Sequence, residues 1–271
     1  MSAALLVNAG AATHTGRRRQ LNEDSYLASG PVFVVADGMG GHEAGERASA
    51  AVIEEFARLI SRESLELDDV RDVILRARGA VEALATANAA RAGTTLSGVV
   101  ISAVDGLGYW LAMNIGDSRT YRFADGELEQ VTVDHSVIQE LLDAGELTPE
   151  QAAFDSRRNI ITRAIGAGSA GDADFWLFPA ELGDRMLICS DGLTAEIDDE
   201  RIREVLAQQS DPVVAADALT AEAVAAGGRD NITVVVVDAI SVATRPGSIV
   251  LADDDVDDAT RPRDNAPGGN R

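Results

Sequence analysis

The chain has 271 residues, and Asp and Glu outnumber Lys and Arg by 45 to 23, so its formal net charge at pH 7 is -22. This charge disfavours nonspecific binding to nucleic acid or anionic membranes, because the summed negative field repels polyanions. A single cysteine excludes an internal disulfide, and three histidines argue against a zinc site built from Cys and His. With no apolar run near the ~20 residues that span a bilayer and no basic leader, the composition predicts a globular cytoplasmic protein.

The hydrophobic pattern predicts strands and helices in blocks. Strands are predicted near residues 3–9, 32–36, 173–178, 185–190 and 232–237, with a cluster of strands over 95–132. Helices are predicted near residues 44–61, 68–91, 136–144, 198–208 and 212–226, and a capping box at 148–151 predicts one more helix start. Blocks of consecutive strands flanked by paired helices favour an α+β domain with layered antiparallel sheets over an alternating parallel fold.

The composition divides the chain into two regions. Residues 1–239 contain all the predicted elements and no linker, which indicates one domain. Residues 240–271 are rich in Pro, Gly, Asn and Arg and include the acidic run 253–258, so they are predicted to form a disordered acidic C-terminal tail. A calcium loop is a remote alternative, because the run lacks the glycine and the distal glutamate of an EF-hand.

Four Asp-Gly pairs occur in the chain, and they predict two different structures. Asp105-Gly106 and Asp125-Gly126 have strand-like residues on both sides and predict ordinary hairpin turns. Asp37-Gly38 and Asp191-Gly192 instead follow buried strands and lead toward helices. These two pairs therefore place a carboxylate at a strand end, where glycine allows the backbone to approach a ligand closely.

Further acidic residues lie at similar places: Glu23, Asp24, Asp117 and Asp230. Each alone is typical of a turn or a helix cap, since Asp and Asn form local backbone hydrogen bonds there. As a set, carboxylates without His or Cys favour hard cations such as Mg²⁺ or Mn²⁺. Two such ions can activate water for phosphate ester hydrolysis.

A phosphate clamp is also needed for that chemistry. Residues 17–19 form the densest basic cluster of an acidic chain, three residues before Asn22. Arginine binds phosphate through a bidentate fork, so this cluster is a candidate clamp. A solvated surface loop is the alternative interpretation. Cys189 lies inside an apolar run, which predicts a packed and inert thiol.

The motifs together resemble the bacterial PPM-type (type 2C) metal-dependent serine/threonine protein phosphatases over roughly residues 3–239. They occur in family order: Arg19 with Asn22-Glu23-Asp24, Ala36-Asp37-Gly38-Met39-Gly40-Gly41-His42, Gly93-Thr94-Thr95, Gly116-Asp117-Ser118-Arg119, Asp134-His135-Ser136, Ile161-Thr162-Arg163-Ala164-Ile165-Gly166, Ser190-Asp191-Gly192 and Asp230-Asn231. The resemblance implies a four-layer α-β-β-α sandwich, in which helix pairs flank two antiparallel sheets and a dimetal site lies in the cleft between the sheets.

The resemblance also implies a role for each matching residue. The metal ligands would be Asp37, Gly38, Asp191, Asp230, Glu23, Asp24 and Asp117. Asp37 would bridge two Mn²⁺ or Mg²⁺ ions, the Gly38 carbonyl would bind the second, and Asp191 and Asp230 would complete the first. Glu23 and Asp24 would act through water, and Asp117 would share a third, weaker ion with Asp191. The catalytic residues would be Arg19, which binds phosphate, Asp37 and Asp191.

The resemblance leaves the general acid unassigned. Met39 stands where eukaryotic members have a histidine that is thought to protonate the leaving oxygen, a change that bacterial members share. His42 and His135 are candidates, and each is at least as well explained as a structural residue. The segment from about 140 to 160 would be a mobile flap beside the cleft, where substrate selection is expected.

The function expected from the resemblance is hydrolysis of phosphoserine and phosphothreonine in proteins by a metal-bridging water, opposing a bacterial Ser/Thr kinase. The expected partners are phosphorylated proteins and a cognate kinase, and the chain is expected to be a monomer. One alternative is a noncatalytic sensor or binding module with the same fold. Another is a phosphatase dedicated to one partner-switching regulator. The acidic surface further predicts a preference for neutral or basic residues near the phosphorylated one.

Overall fold

The computed structural model describes residues 3–40, 43–88, 92–152, 155–157, 160–169 and 171–243. Its strands are β1 (Leu5–His14), β2 (Asp24–Ser29), β3 (Val32–Met39), β4 (Gly93–Thr94), β5 (Leu96–Val104), β6 (Leu107–Ile115), β7 (Arg119–Ala124), β8 (Glu127–Gln130), β9 (Ile165–Gly166), β10 (Asp174–Pro179), β11 (Arg185–Cys189) and β12 (Ile232–Val242). Its helices are α1 (Ala44–Ala57), α2 (Leu67–Asn88), α3 (Val137–Asp143), α4 (Pro149–Ala152), α5 (Asp191–Thr194), α6 (Asp199–Gln208) and α7 (Pro212–Ala226). The predicted tail lies outside the described residues from 244 onward. No helix in the described segments is long and apolar enough to cross a membrane.

Two antiparallel sheets stack between two pairs of helices. The first sheet has the strand order β1-β12-β11-β7-β8. The second has the order β10-β6-β5-β3-β4-β9, and β2 also pairs with β3. Helices α6 and α7 cover the first sheet, and α1 and α2 cover the second. The predicted α+β class and the four-layer α-β-β-α sandwich are therefore confirmed.

The central strands are apolar on both faces because each face meets another layer. In β3, Val34 packs under α1 and α2, whereas Phe33 and Val35 point between the sheets. In β12, Val236 and Val235 divide in the same way between the α6–α7 layer and the space between the sheets. This alternation follows from the two-residue period of a strand. The continuous apolar runs in the sequence thus correspond to strands that are covered on both faces.

The two kinds of Asp-Gly pair behave as predicted. Asp105 and Asp125 have φ angles of 53° and 52° and form the turns of the β5–β6 and β7–β8 hairpins. Asp37-Gly38 instead lies near the end of β3, and Asp191 is the first residue of α5. The sequence separated turn aspartates from aspartates that face the cleft.

Other boundaries differ from the predictions. Strand β2 was not predicted, because Asp24–Ser29 has little apolar pattern of its own and becomes a strand by pairing with β3. Strand β12 continues to Val242, past residue 237 and past the expected domain boundary at 239, because it pairs with β1 as far as Leu5. Helix α1 ends at Ala57 rather than residue 61. Cys189 is fully buried, and burial raises the pKa of its thiol to about 12, which agrees with an inert role.

We expect Gly10→Ala to destabilise the fold where β1 packs on α7. A Cβ atom at residue 10 would lie 2.3 Å from the Val213 amide nitrogen and 2.4 Å from the Pro212 carbonyl carbon, so the backbones would have to separate. Overpacking of this kind lowers the free energy of unfolding by about 2 kcal/mol or more. Chemical denaturation measures the loss.

Gly79→Ala is the matched control for that substitution. Residue 79 is exposed in the middle of α2, and a Cβ atom there meets nothing within 4 Å. Alanine in a helix interior should leave the stability unchanged or raise it by roughly 0.5–1 kcal/mol. Equal destabilisation by both alanines would contradict the packing argument.

Candidate metal centre

Five aspartates from both sheets lie close together, and three of them line one cleft. Asp24 begins β2, Asp37 lies near the end of β3, Asp117 follows β6, Asp191 begins α5, and Asp230 precedes β12. Asp24 stands directly opposite Asp37 in the β2–β3 ladder. The negative charge of each of the other four aspartates raises the pKa of Asp37, which shows that all five lie close together. The structure thus gathers the aspartates that the sequence nominated.

Asp24 is held by hydroxyl groups of the opposite sheet. Its Oδ2 accepts hydrogen bonds from Ser190 Oγ at 2.8 Å and from Thr233 Oγ1 at 2.7 Å. Its Oδ1 is buried without a hydrogen-bond partner. These contacts fasten the start of β2 to the ends of β11 and β12, so they set the separation of the two sheets at the cleft.

The backbone of Asp37 is fixed by the Gly-Thr-Thr motif, while its carboxyl group lies against that of Asp191. The Asp37 carbonyl accepts from Thr94 Oγ1 and from the Thr95 amide, both at 2.9 Å. The Asp37 amide donates to Thr95 Oγ1, also at 2.9 Å. Thr95 Oγ1 lies 2.7 Å from Ser118 Oγ, beside Asp117. The Gly-Thr-Thr motif therefore connects two of the candidate ligands.

Glu23 and Gly38 meet where the start of α1 approaches β3. The Gly38 amide donates to the Glu23 carbonyl at 3.1 Å, and the Glu23 amide donates to Asn231 Oδ1 at 2.9 Å. A Cβ atom at residue 38 would lie 2.2 Å from the Gly45 carbonyl oxygen, so only glycine fits there. Glu23 Oε1 is buried without a hydrogen-bond partner.

Arg19 lies against a candidate metal ligand. Its Nη2 donates to Asp230 Oδ2 at 2.7 Å, and this hydrogen bond raises the pKa of the guanidinium. Asp230 Oδ1 accepts from the Asn231 amide at 2.8 Å. The Arg19 side chain is 49% exposed at the cleft. Arg19 is thus beside the carboxylates, as a phosphate clamp requires, although its guanidinium is paired with Asp230.

The acids share an unfavourable electrostatic environment. Burial raises the pKa of Asp24 and of Asp117 to about 7, and it raises the pKa of Asp37 well above its ordinary value. Burial also raises the pKa of Glu23 and of Asp191. Neighbouring carboxylates add to the effect for every one of these groups. Without a cation, these carboxyl groups therefore hold their protons to a higher pH than free carboxyl groups do.

These residues suit a divalent cation because they offer oxygen ligands and because some of their buried oxygens have no hydrogen-bond partner. No three acidic, histidine or cysteine side chains of the described segments converge as a ready-formed metal shell. Three buried carboxylate oxygens nevertheless lack any partner: Glu23 Oε1, Asp24 Oδ1 and Asp191 Oδ1. A donor set made only of oxygens suits Mg²⁺ or Mn²⁺. A cation would satisfy these atoms and offset the repulsion.

His135 is placed as a structural residue. Its Nδ1 accepts from the Gly116 amide at 3.1 Å, so its ring proton is on Nε2, which lies 3.1 Å from Asp174 Oδ2. Its own amide donates to the Gly116 carbonyl at 2.8 Å, and burial lowers its pKa. The ring thus holds the turn before Asp117 and carries no proton toward the cleft, which argues against His135 as the general acid. His42 lies outside the described residues.

A cleft of about 450 Å³ adjoins the carboxylates. Asp117, Asp191 and Asp230 line it. It is also lined by residues of α3 and α4, by the turn after α5, and by Arg229. The cleft is therefore large enough to hold more than a phosphate group at the candidate centre.

Sequence reasoning missed the residues that hold the acids in place. Ser190, Asn231 and Thr233 were not nominated, although Ser190 and Asn231 stand next to nominated aspartates inside quoted motifs and Thr233 is three positions after Asp230. Spacing along the chain does not indicate that Ser190 and Thr233 converge on Asp24, because that contact joins the two sheets. Hydroxyl and amide residues beside a nominated carboxylate are the signal that could have found them.

Comparison with known proteins identifies the family. The family model described as Protein phosphatase 2C matches residues 12–225. The chain belongs to the protein phosphatase 2C family. The resemblance that the sequence motifs indicated is thereby confirmed.

Members of the protein phosphatase 2C family with curated names are similar over most of this chain. Serine/threonine protein phosphatase PstP of Mycobacterium tuberculosis is 38% identical over 245 residues, which cover 87% of this chain and 46% of PstP. The chain thus spans about half the length of PstP. Serine/threonine phosphatase stp of Listeria monocytogenes is 33% identical, and the match covers 83% of this chain and 93% of stp.

A solved structure of the family supports the architecture. The catalytic domain of PstP in complex with two manganese ions matches with a TM-score of 0.80 and 35% identity. The match covers 88% of this chain and 100% of that domain. The four-layer sandwich of the present chain is therefore the fold of the PstP catalytic domain.

We expect Asp24→Asn to change how the stability of the metal-free protein depends on pH. The native pKa of Asp24 is about 7 and its ordinary value is 3.8, so the native state keeps a proton that the unfolded chain loses. Ionisation of Asp24 therefore lowers the free energy of unfolding as the pH rises from about 4 to about 7. The asparagine variant lacks this loss, so its stability relative to wild type rises by a few kcal/mol across that window.

Urea denaturation in EDTA at several pH values between 4 and 7 measures this difference. Asp125→Asn, at an exposed hairpin turn, is the control and should differ from wild type by a constant amount. A stability difference for Asp24→Asn that does not change with pH would contradict the account of the buried carboxyl group.

Proposed function

We propose that this chain is a metal-dependent phosphatase that hydrolyses phosphoserine and phosphothreonine in proteins. The observation that carries the proposal is the gathering of Asp24, Asp37, Asp117, Asp191 and Asp230 in one cleft, with unpartnered buried oxygens. Membership of the protein phosphatase 2C family and similarity to PstP, whose catalytic domain has been solved with two manganese ions, support it. Mn²⁺ or Mg²⁺ is the proposed cofactor.

The proposed metal ligands divide between the sheets. Asp37 and the Gly38 carbonyl come from the second sheet, and Asp191 and Asp230 come from the first. Glu23, Asp24 and Asp117 would support them at the edge of the cleft, directly or through water. When bound, two divalent ions supply Lewis acidity, offset the charge of the phosphate and activate the attacking water.

Arg19 is the proposed phosphate ligand among the chain's own residues. Its bond to Asp230 holds the guanidinium at the rim of the cleft. A phosphate dianion offers the same bidentate geometry as a carboxylate, and a cation on Asp230 would weaken the hold of that carboxylate on Arg19. Arg19 would then turn from Asp230 to the phosphate oxygens and orient the ester for in-line attack.

The biological setting is part of the same proposal. A cytoplasmic location fits the cysteine-poor composition, and a monomer that opposes a bacterial Ser/Thr kinase is what the family resemblance implies. The catalytic domain would occupy residues 1–239, extended by the last strand to Val242, and the residues beyond would form a separate acidic tail. Phosphorylated proteins are the substrates. A phosphatase dedicated to one regulator would share the site and differ only in the range of peptides that it hydrolyses.

We expect Asp191→Asn to abolish most of the Mn²⁺-dependent phosphatase activity. Loss of a carboxylate ligand removes a charge that holds the cation, and its cost should exceed the roughly 10–100-fold found for outer partners of metal ligands. Phosphate release from a phosphothreonine peptide, measured across a Mn²⁺ titration, gives the effect on kcat/KM and on the half-saturating Mn²⁺ concentration.

Asp125→Asn controls for a change of net charge far from the cleft, and it should retain wild-type activity. Calorimetry with Mn²⁺ separates loss of metal binding from loss of chemistry. If wild-type protein bound Mn²⁺ and released no phosphate from any phosphopeptide, the noncatalytic binding module would replace the present proposal.

Arg19→Lys tests the phosphate clamp. Lysine keeps the positive charge and loses the bidentate fork, so kcat/KM should fall about tenfold, and Arg19→Ala should lower it on the order of 100-fold. The affinity for Mn²⁺ should change far less than in Asp191→Asn. Full activity in Arg19→Ala would remove Arg19 from the proposed mechanism.

A further inference from the structure

The cleft beside the candidate metal centre is lined by apolar side chains as well as by charged and polar ones. Four of its lining residues are apolar: Ile138, Leu142, Ala152 and Ala195. They come from α3, from α4 and from the turn that follows α5. We call these four residues the apolar wall.

The arginines near the apolar wall are already paired. Arg119 donates to both carboxylate oxygens of Asp134, from Nε at 2.9 Å and from Nη2 at 2.7 Å. Arg229 binds both oxygens of Glu196 at 3.0 Å and the Ala195 carbonyl at 2.7 Å. Because these guanidinium groups already have carboxylate partners, we do not expect this part of the cleft to attract a second phosphate or an acidic side chain.

Two apolar residues of helix α3, Ile138 and Leu142, line the cleft, and neither is buried. Ile138 and Leu142 are four positions apart, which places them on the same helix face. None of the residues of α3 is buried. The helix is nevertheless anchored: Ser136 Oγ caps it by accepting from the Gln139 amide at 3.2 Å, and the Val137 amide donates to the Ile160 carbonyl at 2.9 Å. An anchored helix with half-exposed apolar side chains forms a surface that a ligand can cover.

The wall is continuous with the place where the phosphate would bind. Asp117, Asp191 and Asp230 line the same cleft as Leu142 and Ala152. In an extended peptide, neighbouring residues are about 3.3–3.6 Å apart along the chain. Because successive side chains of an extended chain point to opposite sides, the side chain two positions from the phosphorylated one, about 7 Å along the chain, shares its side and is the one placed to meet the wall while the phosphate stays at the carboxylates.

We propose that the apolar wall binds an apolar side chain two positions from the phosphorylated residue of the substrate, and that Leu142 and Ile138 determine this specificity. The inference rests on the proposed phosphatase function and adds a substrate class to it. The sequence predicted neutral or basic flanks from the overall charge. The cleft makes this predicted preference more specific at that one position, where an apolar residue is favoured over both acidic and basic ones.

Phosphothreonine peptides that differ only in the residue two positions before or two positions after phosphothreonine test the proposal. Leu, Glu and Lys are compared at each position, and N-acetyl phosphothreonine amide serves as a minimal substrate without flanking residues. At one of the two positions, the full chain with Mn²⁺ should have a kcat/KM about tenfold higher for Leu than for Glu or Lys, chiefly through KM. Equal kcat/KM values for the three residues at both positions would overturn the proposal.

Leu142→Ala and Leu141→Ala form a matched pair of variants. Both leucines are half-buried residues of α3, and only Leu142 lines the cleft. In Leu142→Ala, the ratio of kcat/KM for the Leu peptide to kcat/KM for the minimal substrate should fall about fivefold to tenfold. Leu141→Ala should keep the wild-type ratio. The same fall in both variants would mean that α3 acts through its stability and not through contact.

Leu142→Lys gives a result that a merely disrupted helix cannot give. A cation on the wall should invert the preference, so that the Glu peptide becomes a better substrate than the Lys peptide. An unchanged order of peptides in this variant would overturn the role of Leu142. Failure of the proposed function is distinguishable, because wild-type protein would then release no phosphate from the minimal substrate or from any peptide.

Discussion

Repulsion among buried carboxyl groups is the constraint on which the rest of the site depends. Asp24, Asp37, Asp117 and Asp191 would separate or stay protonated if nothing held them. Ser190 and Thr233 bind one oxygen of Asp24, and Thr94 and Thr95 hold the backbone of Asp37. These neutral donors fix the acids without neutralising them. The fold thus keeps several carboxyl groups together whose negative charge, when they ionise, a divalent cation can offset.

The sandwich makes this arrangement possible because the cleft takes residues from both sheets. The paired strands β2 and β3 carry Asp24 and Asp37, while Asp191 and Asp230 lie at the ends of β11 and β12 in the other sheet. Separate apolar cores above, between and below the sheets hold the layers rigidly. Large buried contacts far from the cleft therefore stabilise a local arrangement of charge that is unfavourable by itself.

The residues around the acids differ in the roles that their contacts indicate. The imidazole of His135 links the turn at Gly116 to Asp174 and so helps to position Asp117. Arg119 and Arg229 are occupied by Asp134 and Glu196, which leaves Arg19 as the guanidinium bound to a candidate metal ligand. The apolar wall that includes Leu142 lines the same cleft and is where the proposed substrate would bind. Charge is concentrated at the proposed phosphate position and is largely compensated beside it.

The sequence by itself determined the layered α+β class, the hairpins at Asp105 and Asp125, and the family, because strand periods, turn residues and ordered motifs are local properties. It also nominated Asp37 and Asp191, since each ends a buried strand and precedes a helix. It did not give strand β2, which forms only by pairing with β3. Only the tertiary structure decided that Ser190 and Thr233 hold Asp24, that Arg19 binds Asp230, and that the ring of His135 faces Gly116. The physical reason is that these contacts join residues from distant parts of the chain, and their partners are chosen by how the two sheets stack.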